Sequence, residues 1–458
     1  MKKRNKKMSN RTYSQRLHDV IPGGAHTYSR GDDQFPNNAP EILVRGNGSR
    51  VYDPQDKEYL DYGMALRAVT LGYSNKRVND AAIRAIENGN GLTRASMVEL
   101  EAAELLVDCV QSVDMVKFTK NGSTATSAAV KLARAFTGRD IVLRCAQHPF
   151  FSYDDWFIGS TPMTKGIPKQ ISDLTKTFNF NDIASLKKLI NEYPSQISCV
   201  IMEPAGLQCP LIAPDNLCCG LANCKMSDEG NFLKQVEAVC NEHSILFILD
   251  ETITGFRWGI GGAQERFKVN PDLTTFGKGM ANGFSVAAVG GKKAIMELGS
   301  INNSGAERVF LLSTTHGAEM SGLGAFIETV KILKEGNVIP YLWDYGEKLV
   351  SGANDLIDNH GLKEYMKFSG PAPSPNIIFQ PTTQVNPFEL RTLFLQELVK
   401  NSVLMPWVSI SYSHTENDLK QTLEAIDIAL AVCRKATATS IQEYLQSEIV
   451  KPVFRKYN

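Results

Sequence analysis

The run Ile245-Leu246-Phe247-Ile248-Leu249-Asp250-Glu251 decides the fold of this chain. Five consecutive apolar residues show no alternation, so both faces of the segment are buried, as in a strand of a parallel sheet covered on each side. The aspartate that closes the run stands where such a strand meets a cleft. A helical pattern over 232–243 feeds into it. Earlier in the chain the same alternation recurs. Met115-Val116-Lys117-Phe118 reads as a strand and 127–136 as a helix; Ile141-Val142-Leu143 reads as a strand and 182–192 as a helix; Ile197-Ser198-Cys199-Val200-Ile201-Met202 reads as a strand that stops at Glu203-Pro204. Strands and helices in this order give right-handed crossovers and an α/β fold with a mostly parallel sheet. Ligands of such sheets bind beyond the carboxyl ends of the strands. Asn121-Gly122-Ser123, Glu203 and Asp250 all fall there.

The pattern changes towards both ends. Val51-Tyr52-Asp53 and Tyr59-Leu60-Asp61-Tyr62 flank the turn-rich Pro54-Gln55-Asp56-Lys57, the signature of a hairpin. Long helical patterns occupy 325–334, 341–358, 389–400 and 416–433, with a strand at Asn376-Ile377-Ile378-Phe379 between them. The expected organisation is a basic tail at 1–12, a segment 13–75 that joins a smaller α+β domain, a large domain at 76–325, and the rest of the small domain at 326–458.

Composition narrows the function class. The chain has 458 residues, too many for one ordinary core. Its 49 basic residues match 49 acidic ones, so nothing global argues for nucleic acid or an anionic membrane. No apolar run is long enough to span a bilayer. The basic start Met1-Lys2-Lys3-Arg4-Asn5-Lys6-Lys7 lacks a following apolar stretch and reads as a solvated tail, not a secretory signal. Nine cysteines are an odd number, and Cys199 and Cys240 lie in apolar stretches, which fits a reduced, cytoplasmic protein. Cys209, Cys218, Cys219 and Cys224 crowd the segment 209–226. That segment has no paired Cys-x-x-Cys knuckles and no histidine, so it reads as an irregular insertion and not as a zinc site.

Two positions carry the chemistry. Lys278 stands in Phe276-Gly277-Lys278-Gly279, after a semi-apolar strand that would bring it into the interior and before the small, apolar Met280-Ala281. Such a setting depresses a lysine pKa. Paired with Asp250, it supplies an amine able to form a Schiff base and a carboxylate able to hold a protonated ring nitrogen, which is what pyridoxal 5'-phosphate (PLP) requires. Asp250 has an ordinary alternative, as a helix cap or the ion-pair partner of Arg257. Asn121-Gly122-Ser123-Thr124 follows a strand and opens a helix, where free N–H groups, the helix dipole and two hydroxyls favour a phosphate. The same residues also cap helices without a ligand. Leu311-Leu312-Ser313-Thr314-Thr315-His316-Gly317 offers a second set of hydroxyls on a loop, or simply a polar turn. His148, in Ala146-Gln147-His148-Pro149, is either structural or at the site.

Taken with Ile21-Pro22-Gly23-Gly24, Ala133-Arg134-Ala135-Phe136-Thr137-Gly138-Arg139, Asp250 through Arg257, Gly261-Gly262-Ala263-Gln264, Pro271 through Gly279, and Ser413-His414-Thr415-Glu416-Asn417-Asp418, these residues resemble the PLP-dependent class III aminotransferases, in the branch of glutamate-1-semialdehyde 2,1-aminomutase. The likeness covers most of the chain. It implies the aspartate aminotransferase-like fold of PLP-dependent transferases and a homodimer whose active site lies between subunits. It implies that Lys278 carries the cofactor as a Schiff base and moves protons, that Asp250 partners the pyridine nitrogen, and that Gly122, Ser123 and Thr124 cradle the phosphate. Thr315 is implied to reach the phosphate of the neighbouring subunit. Thr252, Gln147, His148 and Glu203 are implied to line the cofactor, and Arg30 to hold a substrate carboxylate, with Arg67 beside the substrate. Three positions depart from the family pattern. Gln147 stands where an aromatic usually stacks on the cofactor, Leu66 where the aminomutase has tryptophan, and Pro406 where it has a gating carboxylate.

The departures gather at the substrate end and spare the cofactor end. The expectation is therefore an aminotransferase that moves an amino group between a small-molecule donor and a carbonyl acceptor, with an anionic substrate. The alternative is aminomutase-type intramolecular transfer. Racemases, decarboxylases and a non-catalytic PLP-binding module rank below both. No metal, nucleic-acid or membrane partner is expected.

Overall fold

The computed structural model describes residues 11–206, 209–213, 216–217, 231–302, 304–383 and 385–458. Of the expected basic tail only Arg11 and Thr12 are described, and Thr12 caps the helix Tyr13–His18. Strands β1 (Arg45–Asn47), β2 (Arg50–Tyr52) and β3 (Glu58–Asp61) form antiparallel neighbours. The β2–β3 turn is the expected hairpin. Asp53 Oδ1 accepts from the N–H groups of Gln55 and Lys57, both at 2.9 Å, and so closes it.

The central sheet is built from β4 (Met115–Thr119), β5 (Ile141–Cys145), β6 (Thr175–Phe178) and β7 (Ile197–Met202). A short pair, β8 (Leu211–Ala213) and β9 (Asn216–Leu217), lies outside it. Then β10 (Leu246–Glu251), β11 (Leu273–Phe276) and β12 (Ala287–Gly291) complete the order β4-β12-β11-β10-β7-β5-β6. Only β12 runs antiparallel to its neighbours. Every residue of β5, β7, β10, β11 and β12 is buried, which explains the apolar runs that mark β5, β7 and β10. β12 has no such signal in its sequence, Ala-Ala-Val-Gly-Gly. A Cβ on Gly290 would lie 2.7 Å from Val113 Cγ1, so close packing demands the small residues that hide the strand.

Asn121 caps the helix Gly122–Thr137 and Gly138, at φ 66°, ends it in the left-handed conformation. The helix starts five residues before the expected 127, because its Gly-Ser-Thr first turn lacks helix formers. Helices Met320–Glu335, Val338–Asn359, Pro387–Lys400 and Glu416–Ala438 follow the expected pattern with longer ends. Met320–Glu335 packs on Lys76–Glu87 and crosses the expected junction at 325/326, which therefore falls inside one helix. Antiparallel β13 (Met366–Ser369) and β14 (Asn376–Phe379) lie between the last helices. β15 (Val403–Leu404) runs parallel to β3, tying the two ends of the chain into one sheet. The largest apolar cluster joins Leu60, Phe276, Phe326, Leu349 and Leu430. Phe256 meets Phe276 and Phe326 at ring-centroid distances of 5.7 and 5.5 Å, and each such burial stabilises by about 1.5–3 kcal/mol. Beyond Cys433 the chain returns to the N-terminal segment, where Arg455 pairs with Asp33 at 2.7 Å and Gln34 Nε2 donates to Lys451 O.

Candidate active site

Asp250 ends β10 and Lys278 follows β11, its parallel neighbour, with Asp250 in register with Thr275. Adjacent strand ends thus bring the two residues to the same edge. Asp250 Oδ1 accepts from Thr252 N and Thr275 Oγ1, both at 2.9 Å, which fixes the carboxyl and leaves Oδ2 for another partner. Burial raises the Asp250 pKa; the hydrogen bonds from Thr252 and Thr275 and the charge of Lys278 oppose it. The alternative pairing with Arg257 does not form. That guanidinium is fully buried and donates to the carbonyls of Ile410, Arg67 and Val69 and to Thr70 Oγ1.

Lys278 opens a short 3-10 turn at φ 43°. Its neighbours must be glycine for want of space: a Cβ on Gly277 would sit 3.1 Å from Thr252 Cγ2, and one on Gly279 would collide with Thr70 Oγ1. The Lys278 pKa is lowered by burial first and then by Arg67 and Arg257, while Glu203 and Asp250 pull the other way. Glu203, just past β7, is buried. Its pKa is raised by burial and by the Asp250 charge, against Lys278 and Arg67. Two acids, one lysine and two arginines therefore share a single electrostatic cluster.

Around them, Asn121 Oδ1 takes both the N–H and the hydroxyl of Thr124. Thr124 thus serves the helix cap. The N–H groups of Gly122 and Ser123 have no partner among the described residues, and Ser123 Oγ accepts from Tyr153 N at 3.2 Å. Thr252 lies against Gly122 and Gly277, and its buried Oγ1 has no hydrogen-bond partner. His148 is 1 % exposed; its Nδ1 accepts from Glu203 N at 3.0 Å, so Nε2 carries the proton and is itself unpartnered. Burial brings its pKa down to about 3, so the ring is neutral.

Gln147 follows β5. Its amide is exposed and held in a neighbouring loop, Nε2 donating to Asn179 Oδ1 at 3.1 Å and Oε1 accepting from Phe180 N at 2.9 Å. Phe151 is buried, while Phe150 is exposed and meets Phe157 and Phe454. Thr315 sits on an exposed turn and makes no hydrogen bond to Gly122, Ser123 or Lys278. Arg30, on the 3-10 turn Tyr28–Arg30, is exposed, and its guanidinium has no ion pair or hydrogen bond with a described residue.

Arg67 ends an unusual element. Met64, Ala65, Leu66 and Arg67 have φ of 41°, 51°, 61° and 70°, a turn of left-handed helix made entirely of non-glycine residues. Left-handed conformation costs about 1–2 kcal/mol per residue, so the turn exists only because its surroundings hold it. Asp61 accepts from Gly63 N and Met64 N, Tyr73 Oη accepts from Ala65 N at 2.8 Å, and the same hydroxyl donates to Asp61 Oδ2 at 2.7 Å. Arg67 Nη2 donates to Asn376 Oδ1 at 2.9 Å, and its Nε is buried without a partner. Burial lowers the Arg67 pKa, and Glu203 opposes. Asp61, Tyr73 and Asn376 carry no motif that would have singled them out.

The sequence profile described as Aminotransferase class-III matches residues 32–365. The chain belongs to the class III aminotransferases. It is 32% identical over 442 residues to glutamate-1-semialdehyde 2,1-aminomutase of Archaeoglobus fulgidus, covering 92% of this chain and 99% of that protein. It is 30% identical over 420 residues to 3-aminobutyryl-CoA aminotransferase of Cloacimonas acidaminovorans, covering 91% and 95%. Among solved structures it resembles the PLP internal aldimine form of FumI from Sphingopyxis sp. MTA144, with a TM-score of 0.80 at 27% identity, covering 93% of this chain and 97% of that one. An omega-transaminase from Sphaerobacter thermophilus, with a TM-score of 0.78 at 22% identity over 92% and 97%, shares the fold. This class III aminotransferase is thus a PLP enzyme of aminotransferase or aminomutase type. Its residues fit the cofactor: a partnerless Thr252 hydroxyl, free N–H groups at Gly122 and Ser123, and the buried Asp250 carboxyl with the part-buried Lys278 stand at the same edge of the sheet. No helix among the described residues is long and apolar enough to cross a membrane.

Proposed function

We propose that this class III aminotransferase moves an amino group between an anionic small-molecule donor and a carbonyl acceptor. The observation that carries this reading is the cluster of Lys278, Asp250, Glu203 and Arg67, a poised amine and an arginine free of ion pairs at one site. When bound, PLP supplies an electron sink for a carbon that loses its proton. Lys278 Nζ would hold the cofactor aldehyde covalently, and its depressed pKa suits the free amine to take a proton from the substrate carbon and return it. Asp250, its Oδ1 held by Thr252 and Thr275, would keep a proton on the pyridine nitrogen. Gly122 and Ser123 would hold the phosphate, Thr252, which lies against Gly122 and Gly277, would contact the ring, and the hydrogen-bonded His148 and Glu203 would line the site. Arg67 and Arg30 receive negative charge on the substrate.

The cradle draws on a second subunit. Thr315, on its exposed turn, serves the phosphate of the neighbouring copy in a homodimer. Cys145, Cys199, Cys240 and Cys433 are free thiols and buried, and Cys109 is free and part-buried, which supports a reducing, cytoplasmic setting.

The covalent link is tested by borohydride reduction of the yellow protein followed by peptide mapping. The label belongs on Lys278 and is lost in Lys278→Ala. A label on another lysine refutes the assignment. The relative from Archaeoglobus favours a second reading, intramolecular amino transfer. Single-turnover product analysis separates the two: a transaminase leaves the amine form of the cofactor and releases a keto product, whereas a mutase returns an isomer.

A further inference from the structure

We propose that Asn376 is a specificity-positioning residue: with the left-handed turn Met64–Arg67 it fixes the Arg67 guanidinium as the receptor for an oxyanion on the substrate. This rests on the reading that the substrate is anionic, and it explains how one arginine is kept both immobile and unneutralised.

The turn supplies the base. Four successive residues at positive φ leave no slack, and Asp61 and Tyr73 take up the N–H groups of Gly63, Met64 and Ala65. Arg257 holds the carbonyl of Arg67 itself at 3.0 Å. The side chain is then seized at its far end. Asn376, the first residue of β14, donates through Nδ2 to Gly206 O at 3.1 Å, which orients the amide so that Oδ1 faces Arg67 Nη2. Gly206 lies three residues past Glu203, so the arginine is referenced to the same strand end as the catalytic cluster. A carboxamide accepts the hydrogen bond without cancelling the charge. Among the described residues no carboxylate forms an ion pair with Arg67. One of its five N–H groups goes to Asn376, and the buried Nε–H has no acceptor. A guanidinium fixed in this way, with a dry donor to spare, binds a carboxylate or phosphate through two oxygens.

The test compares donors that share an amino end, with and without the anionic group, on holoenzyme: 4-aminobutanoate against 1-aminobutane, which has the same chain length, and 2-aminoethyl phosphate against 2-aminoethanol, which lacks the phosphate. In Asn376→Ala the KM of the charged members should rise about tenfold while kcat stays within about twofold and the uncharged members are unmoved. Asn376→Asp, which sets a carboxylate against Arg67, should raise it further. Tyr73→Phe, which removes the hydroxyl but keeps the ring, should act in the same direction. The concentration of donor that half-bleaches the cofactor band should shift in parallel with KM. Equal shifts for charged and uncharged donors would mean a general structural role and overturn the proposal, as would no shift at all. If the unmodified enzyme shows no preference for charged donors, the anionic-substrate reading falls. A preference that survives Asn376→Ala sinks the positioning role alone.

Discussion

Gly122 and Thr252 meet so closely that no side chain fits between them: a Cβ on Gly122 would stand 3.0 Å from Thr252 Cγ2 and 3.2 Å from its Oγ1. The first N–H of the cradle helix and the threonine that lies against both Gly122 and Gly277 are thus set by one contact. Gly122→Ala should force one of them aside. The dissociation constant for PLP, from absorbance titration of the apoenzyme, should rise about tenfold, while overpacking costs about 1–3 kcal/mol of stability. Unchanged affinity would place the phosphate elsewhere.

Asp250→Asn keeps the oxygen that accepts from Thr252 and Thr275 and removes only the charge. The variant should fold and bind cofactor, with turnover reduced by about 100-fold or more, the scale on which a positioned charge acts in a dry site. Steady-state kinetics beside a cofactor stoichiometry measures both. Near-normal turnover would refute the partnership with the ring nitrogen.

If Thr315 serves the neighbouring subunit, two inactive variants should rescue each other. Thr315→Ala and Lys278→Ala protomers, mixed under conditions that exchange subunits, form hybrids in which one site has both residues intact. Random reassortment should restore about a quarter of the normal activity. No recovery in verified hybrids would mean that each chain completes its own site.

His148 is buried and neutral, its pKa brought down to about 3 from 6.5. The unfolded chain therefore binds a proton between those values that the folded one refuses, and stability falls as pH drops through that window. The slope from this residue alone is up to about 1.4 kcal/mol per pH unit. His148→Gln should flatten the acid limb of a plot of Tm against pH between pH 6.5 and 4. An identical limb would assign the acid sensitivity to other groups.

Strand β7 was legible to the residue, because Gln196 and Glu203-Pro204 bracket an unbroken apolar run, and β14 was legible for a similar reason, with Pro375 before it. The start of the cradle helix was not, since Gly122, Ser123 and Thr124 are poor helix formers that serve a cap and a ligand. Lys278, Asp250 and Glu203 could be read from their places at strand ends, where the topology of the sheet makes any polar residue a neighbour of the others. The partners of Gln147 were not legible, because Asn179 and Phe180 lie just past β6, a strand that the sequence does not announce. Asn376 was invisible for a different reason: its partners Arg67 and Gly206 lie 309 and 170 residues away.

By itself the sequence determined which residues stand at the mouth of the sheet, because burial on both faces writes each core strand as an apolar run and leaves its polar successor at the cleft. Only the tertiary structure decided the conformation of Met64 to Arg67 and hence the place of the arginine. A left-handed turn of L-residues is unfavourable wherever it is considered alone, and it persists because Asp61 and Tyr73, folded back onto it, and Arg257, 190 residues away, bond to its backbone.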